Sequence, residues 1–299
     1  MSCSLYSNSE LKQKTKPSYI TPSALAAFIK HALKEDIGDG DHTSRACIPV
    51  NAKGRAQLIV KDTGIIAGVE LAKLIFKKLD PSLTLKILIP DGTPVEPGDI
   101  VLTVSGKDRS ILTSERLVLN CMQRMSGIAS LTHSLSQMCL GTKAKLLDTR
   151  KTTPGIRMLE KWAVKIGGGE NHRIGLYDMI LIKDNHVDYC GGITKAIASA
   201  NEYIKKKKKK LKIEIEVRDM NELQQVLSHG KIDRILLDNF TPEEMKKTIE
   251  LVNGKFATEA SGGINEKNIR DYALTGVVYI SVGALTHSYK SLDMSLKAY

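Results

Sequence analysis

No apolar run in the 299 residues approaches the ~20 that a membrane-spanning helix needs. The first nineteen residues, MSCSLYSNSELKQKTKPSY, lack the apolar stretch of a secretory signal. A short disordered lead-in over residues 1–19 and a cytoplasmic protein are therefore expected. Cysteine is scarce and scattered: Cys3, Cys47, Cys121, Cys139 and Cys190 are odd in number and never in CxxC spacing. That argues against a disulfide framework or a thiolate zinc site. No GxxxxGK[ST] surrounds Gly167-Gly168-Gly169, which follows the helix-like WAVKIG, so the triplet reads as a helix end that frees ENHR to turn inward. The polar loop EDIGDGDHTSRACIP gathers Asp36, Asp39, Asp41 and His42 but lacks the ligand spacing and distal Glu of a calcium loop. It reads as a capped, turn-rich connection.

What the chain does have is positive charge. The net charge is +11, and Lys205 to Lys210, six consecutive lysines, account for six of those units, leaving +5. The run follows the helix-like ITKAIASANEYI, and the one aromatic beside it is Tyr203, so a solvated helix end fits better than a single-strand nucleic-acid site built on stacking. A hydrophobic content of 42% and a mean hydropathy of −0.16 describe an ordinary globular chain. Its length permits one large or two modest domains.

Two patterns divide it. Thr21-Pro22-Ser23 caps a helix over ALAAFIKHAL. From Gly54, strand-like GRAQLIVKDTGIIAG, helical VELAKLIFKKL and strand-like LTLKILIPDGTPVEPGDIVLTVSG, with their PDG and EPGD turns, describe an α+β domain. Arg109 to Met138 reads as two helices broken at Ser126-Gly127, the first carrying Arg116, Asn120 and Arg124. Past residue 140, apolar runs recur at KLLD, MILIKD, KIEIEV, RILLDN, KFATEASG and VYISVGA, with helix-like stretches between most of them. That cadence predicts parallel strands with right-handed crossovers. Six or seven such units make a barrel that need not close; a doubly wound open sheet is the alternative.

In parallel α/β barrels the chemistry gathers at the C-terminal strand ends. Strand by strand, that rim presents Asp148, Arg150 and Lys151, then Lys183, then Glu214 and Glu216, then Asp238 and Asn239. Glu259, Ser261, Gly262 and Gly263 follow, then Gly283 and Ala284. Between the first two strands lie His172 and Arg173, while Arg157 and Lys165 read as helix-borne charges. So dense a cationic rim suits a small ligand with several negative charges. Ser261-Gly262-Gly263 precedes an expected helix start at Asn265-Glu266, and with Gly283-Ala284 it offers close backbone N–H groups to a phosphate. Glu216 and Asp238, on neighbouring strands, could hold Mg²⁺ together with substrate oxygens.

The segments TRKTTPG, GGGENHR, IKDNH, IEIEV, LLDNF, SGGIN and SVGALTHS, in this order, resemble quinolinate phosphoribosyltransferases, as do EDIGDGDHTS and SERLVLN. The resemblance runs from about residue 20 to the C-terminus. It implies transfer of phosphoribose from phosphoribosyl pyrophosphate to quinolinate, giving nicotinate mononucleotide, pyrophosphate and CO₂, with Mg²⁺ required. It also implies an N-terminal α/β sandwich over 20–126, joined by a C-terminal tail over 288–299, and an open seven-stranded, TIM-like α/β barrel over 127–287. A homodimer with shared active sites is implied too. On this resemblance Arg150, His172, Arg173 and Lys183 contact quinolinate, with Arg116 arriving from the neighbouring subunit. Lys151 stands between quinolinate and pyrophosphate, Glu216 and Asp238 are the metal-side carboxylates, and Ser261, Gly262, Gly263, Gly283 and Ala284 cradle the 5′-phosphate. The alternatives are a related phosphoribosyltransferase or phosphate-binding barrel for another aromatic anion, and a basic nucleic-acid binder.

Overall fold

The computed structural model describes residues 16–299, so most of the expected lead-in and Cys3 lie outside the described residues. The elements run α1 (Pro22–Ile37), α2 (His42–Cys47), β1 (Lys53–Val60), β2 (Gly64–Ile65), α3 (Val69–Leu79), β3 (Thr84–Ile87), β4 (Pro94–Val95) and β5 (Ile100–Lys107). After α4 (Asp108–Met138) come β6 (Lys145–Leu147), α5 (Arg157–Ile166), β7 (Ile180–Ile182), α6 (Asp184–Cys190), α7 (Ile193–Lys207), β8 (Ile213–Val217), α8 (Met220–His229) and β9 (Arg234–Asp238). The chain ends with α9 (Pro242–Val252), β10 (Ala257–Ser261), α10 (Ile269–Leu274), β11 (Tyr279–Ser281), α11 (Ala284–His287) and β12 (Met294–Ala298). Two compact units result: the described residues up to Ser126 with Ser291–Tyr299, and Gly127–Lys290. No helix among the described residues is long and apolar enough to cross a membrane.

The first unit is built on an antiparallel sheet in the order β12-β1-β5-β3, its core filled by Leu58, Val60, Leu71, Ile75, Phe76 and Leu102. Asp41 caps α2, accepting from the Ser44 N–H at 3.0 Å and from the Thr113 hydroxyl at 2.8 Å. The Gly/Asp-rich loop is thus held by ordinary capping. Arg109 to Met138 is one 31-residue helix with its first residue at Asp108, not two helices. Ser126 does not break it, because its hydroxyl exchanges hydrogen bonds with the Ala67 N–H at 2.8 Å and the Ala67 carbonyl at 3.1 Å. Burial of Met122, Met125, Ile128 and Ala129 on either side outweighs the cost of Gly127, about 1 kcal/mol.

The second unit is a six-stranded parallel sheet in the order β6-β11-β10-β9-β8-β7. All six apolar runs became its strands, and the seventh strand of the expectation is reduced to a single parallel bridge between Leu147 and Glu170. Just before that bridge, Gly167 and Gly169 pass so close to Ala129, Thr132 and Val164 that a Cβ on either would collide. Because the strands are parallel, every C-terminal end lies on one edge.

Register decides what faces inward there. Glu216 pairs with Leu236, Leu236 with Glu259, and Glu259 with Tyr279, while Glu214 pairs with Arg234. Paired residues of a parallel sheet share a face. One face of β8, β9, β10 and β11 therefore carries Glu214, Glu216, Arg234, Glu259 and Tyr279. The other carries Ile213, Ile215, Val217, Ile235, Leu237, Ala260 and Ile280, all buried. This sheet has an apolar side for helices and a charged side for something else.

Candidate active site

At the end of β6, Asp148 is fully buried and organises the segment that follows. Its carboxylate accepts from Lys161 Nζ on α5, from Asn171 Nδ2 at 2.5 Å and from the His172 N–H at 2.9 Å. Lys161 is equally buried and also donates to the His172 carbonyl at 3.2 Å. Burial lifts the Asp148 carboxyl to about 6 despite Lys161, and burial lowers Lys161. The two remain an ion pair at neutral pH. Lys161 was not among the cations singled out above, although it anchors them.

His172 is held through every polar atom. Its Nδ1 accepts from the Arg173 N–H at 2.7 Å, so the neutral ring carries its proton on Nε2. Nε2 lies 2.9 Å from Glu214 Oε2 and 3.5 Å from Glu259 Oε1. Burial depresses its basicity. Arg234 completes the group, with Nη1 2.7 Å from Glu259 Oε2 and 3.8 Å from Glu214 Oε1, and its guanidinium 4.0 Å above the Tyr279 ring. Burial raises the Glu214 carboxyl, and burial with the neighbouring Glu214 charge pushes Glu259 to about 7.

Beside this cluster Arg150 and Arg173 approach each other. Burial and then the charge of Arg150 lower the Arg173 guanidinium, and the Arg150 Nε is buried without a protein acceptor. Glu214 and Asp178 offset part of that effect on Arg173, and two neighbouring guanidiniums favour a bound carboxylate. Arg157 and Lys165, set aside as helix charges, shape the site's walls. Arg157 donates to Thr152 Oγ1 at 2.9 Å and to the Ile174 carbonyl at 3.0 Å, and Lys165 pairs with Glu170 at 2.7 Å. Arg116 is exposed on α4 in the first unit.

Along the rim, Lys183 Nζ reaches Glu216 Oε2 at 3.2 Å. Glu216 and Asp238 stand at the ends of adjacent strands β8 and β9, an oxygen-only donor pair that suits a hard dication completed by substrate oxygens. Three-ligand clustering occurs elsewhere among the described residues, at His172, Glu214 and Glu259. Asp238 accepts from Asn239 Nδ2 at 2.6 Å, and the Asn239 N–H donates to the Ser261 carbonyl at 2.8 Å. Asn239 adopts φ 58°, and Gly262 at φ 97° must be glycine because a Cβ would strike the Asn239 side chain and backbone.

The expected helix start at Asn265-Glu266 is not there. Asn265 opens a turn, its N–H donating to Asn268 Oδ1 at 2.8 Å, and α10 begins at Ile269. The Gly-rich loop's N–H groups are therefore not backed by a helix at that point. Gly283 sits where a Cβ would come within 3.0 Å of both Lys151 Cδ and His287 Nε2. Thr286 Oγ1 donates to the Lys151 carbonyl at 2.8 Å, tying the two loops. His287, adjacent to Lys151 in space, escaped the sequence reading. Its only signal was its place in SVGALTHS, four residues past Gly283.

Two family models match the chain, "Quinolinate phosphoribosyl transferase, C-terminal domain" over residues 128–297 and "Quinolinate phosphoribosyl transferase, N-terminal domain" over residues 41–126. The chain is 44% identical to a nicotinate-nucleotide pyrophosphorylase [carboxylating], chloroplastic, of Arabidopsis thaliana, covering 96% of this chain and 85% of that one. It is 40% identical to a probable nicotinate-nucleotide pyrophosphorylase [carboxylating] of Bacillus subtilis, with 91% and 92% covered. Among solved structures it superposes on the nicotinate-nucleotide pyrophosphorylase from Francisella tularensis with a TM-score of 0.88, at 37% identity over 94% of this chain and 98% of that one.

Proposed function

Since the chain belongs to the quinolinate phosphoribosyltransferase family, we propose that it transfers phosphoribose from phosphoribosyl pyrophosphate to quinolinate with loss of CO₂, making nicotinate mononucleotide for NAD biosynthesis. The observation that carries this reading is the pairing of Arg150 and Arg173, close enough that the charge of Arg150 bears on Arg173, with the Arg150 Nε buried without a hydrogen-bond partner, beside carboxylates and glycine loops. Quinolinate is a dianion with vicinal carboxylates, and Arg forks match carboxylates bidentately. The sheet is read as an open barrel in which Glu170 occupies the seventh position.

The residue roles proposed here are those that the family resemblance implies. Arg150 and Arg173, with His172 beside them and Arg116 from a second subunit, hold the two carboxylates. The ring nitrogen attacks the anomeric carbon as its bond to pyrophosphate breaks, through an oxocarbenium-like centre. Positioning and charge stabilisation suffice for this, without a covalent nucleophile. Lys151 stands at the pyrophosphate side, while Lys183 orients the carboxylate next to the ring nitrogen. In the second step the bond from carbon 2 to its carboxylate breaks, the positive charge of the adjacent quaternary nitrogen stabilises the electron pair left on carbon 2 as CO₂ departs, and a proton from solvent then bonds to that carbon. N–H groups of Ser261, Gly262, Gly263, Gly283 and Ala284 receive the 5′-phosphate. Glu216 and Asp238 would hold Mg²⁺, which would supply positive charge for the departing pyrophosphate.

A homodimer with shared sites is part of the proposal. Leu176 and Tyr177, each 72% exposed on the loop after Arg173, favour burial against another chain. The cytoplasm is the proposed compartment. The functional reading is tested by turnover with quinolinate against nicotinate: activity on quinolinate alone is expected, and activity on nicotinate alone would transfer the protein to a sister reaction on a different aromatic anion.

A further inference from the structure

The cluster behind His172 has no part in the roles just described. Glu214 and Glu259 are fully buried, and Glu214 Oε1, Glu214 Oε2 and Glu259 Oε1 lack a well-directed hydrogen-bond donor. Buried carboxylates without donors are costly and persist where the surroundings impose them. Here three strands impose them. Glu214 comes from β8, Arg234 from β9 and Glu259 from β10, all on the charged face. Resting on the quinolinate reading, we propose that Glu214, Glu259 and Arg234 are positioning residues that clamp the His172 ring so that it presents Arg173 to the substrate.

Arg234 donates to Glu259 at 2.7 Å, which holds that carboxylate in the cluster, and stands 3.8 Å from Glu214. Nε2 lies 2.9 Å from Glu214 Oε2 and 3.5 Å from Glu259 Oε1, so their negative charge favours a proton on that nitrogen without a well-directed hydrogen bond. Nδ1 accepts the Arg173 N–H at 2.7 Å. The ring is thus a strut between the barrel-side face and the backbone of Arg173. The main chain of His172 is gripped independently, its N–H by Asp148 and its carbonyl by Lys161. A dication could bridge the same three ligand groups, but Arg234 already supplies their positive charge, and a second cation beside a guanidinium meets repulsion. Of the other charges near the ring, Asp148 and Lys161 pair with each other, and the Arg173 guanidinium donates to the Met179 carbonyl at 3.4 Å.

The test combines ¹⁵N NMR of histidine-labelled protein with quinolinate binding by calorimetry, on wild type, E214M and E214Q. The wild-type His172 should show the neutral Nε2–H tautomer. E214M should lose that fixed tautomer and weaken quinolinate binding tenfold or more, with KM for phosphoribosyl pyrophosphate within twofold, and E214Q, which restores an acceptor, should recover most of the loss. If E214M fails to fold, E259Q and the wild-type spectrum decide. An Nδ1–H tautomer or an imidazolium in the wild type, unchanged quinolinate affinity in folded E214M, or a stoichiometric metal lost in E214M would overturn the clamp. Wild type that shows the predicted tautomer yet ignores quinolinate would keep the strut and sink the substrate reading instead.

Discussion

Replacing Lys161 with Met should destabilise the second unit by about 3–5 kcal/mol, the cost of breaking a buried ion pair from one side. The magnitude rests on burial, since neither side chain has exposed surface. Met matches the aliphatic stem, so little packing is lost and the charge effect is isolated. Asp148 would keep the Asn171 amide and the His172 N–H but lose the Lys161 cation. Because its carboxyl already sits at about 6, raised by burial, removing Lys161 raises it further. A raised carboxyl stabilises the fold at low pH and withdraws that help as pH rises. The K161M deficit should therefore be larger at pH 8 than at pH 5. The chain's single tryptophan, Trp162, is buried beside Lys161, so fluorescence during urea unfolding reports this unit selectively. The double variant D148N/K161M should recover about 2 kcal/mol of the loss, since it leaves no unpaired charge. A K161M midpoint near wild type at pH 8, or a double variant no better than the single, would refute the reasoning.

Three further outcomes are expected. Arg150→Ala should raise the quinolinate KM strongly, with a loss of about 2–5 kcal/mol in kcat/KM, because one of the guanidiniums that hold the carboxylates is removed; an unchanged KM removes Arg150 from the site. Glu259→Gln should gain stability on wild type as pH rises from 4.5 to about 7, by up to ~3 kcal/mol, because ionising Glu259 in its buried place costs the wild type over that interval; parallel pH profiles in chemical denaturation would contradict this. Mixing Arg116→Ala with Lys183→Ala subunits should restore some activity if sites are shared, and a mixture as inactive as either parent would count against sharing.

Much of this architecture was readable because its periodicity is local. Each apolar run past residue 140 became a strand, and parallel pairing then brought Asp148, Lys183, Asp238, Ser261 and Gly283 to one edge with no further information. IEIEV announced its two carboxylates by alternation alone. What stayed hidden depends on partners distant in the chain. Lys161 reads as a solvated helix lysine until Asp148, thirteen residues earlier, is known to lie against it. Arg234 opens an apolar run and gave no hint of pairing with Glu259, twenty-five residues on. Ser126-Gly127 looked like a break because the Ala67 backbone, which occupies the Ser126 hydroxyl, is fifty-nine residues away. Where a seventh strand was expected, Glu170 makes a single parallel bridge to Leu147, beside glycines in close contact with α4 and α5.

The most direct test of the central claim is incubation of the purified protein with phosphoribosyl pyrophosphate, Mg²⁺ and quinolinate labelled at the 2-carboxylate. One labelled CO₂ should be released for each nicotinate mononucleotide formed. Pyrophosphate release without labelled CO₂, or no turnover of quinolinate at all, would contradict the account.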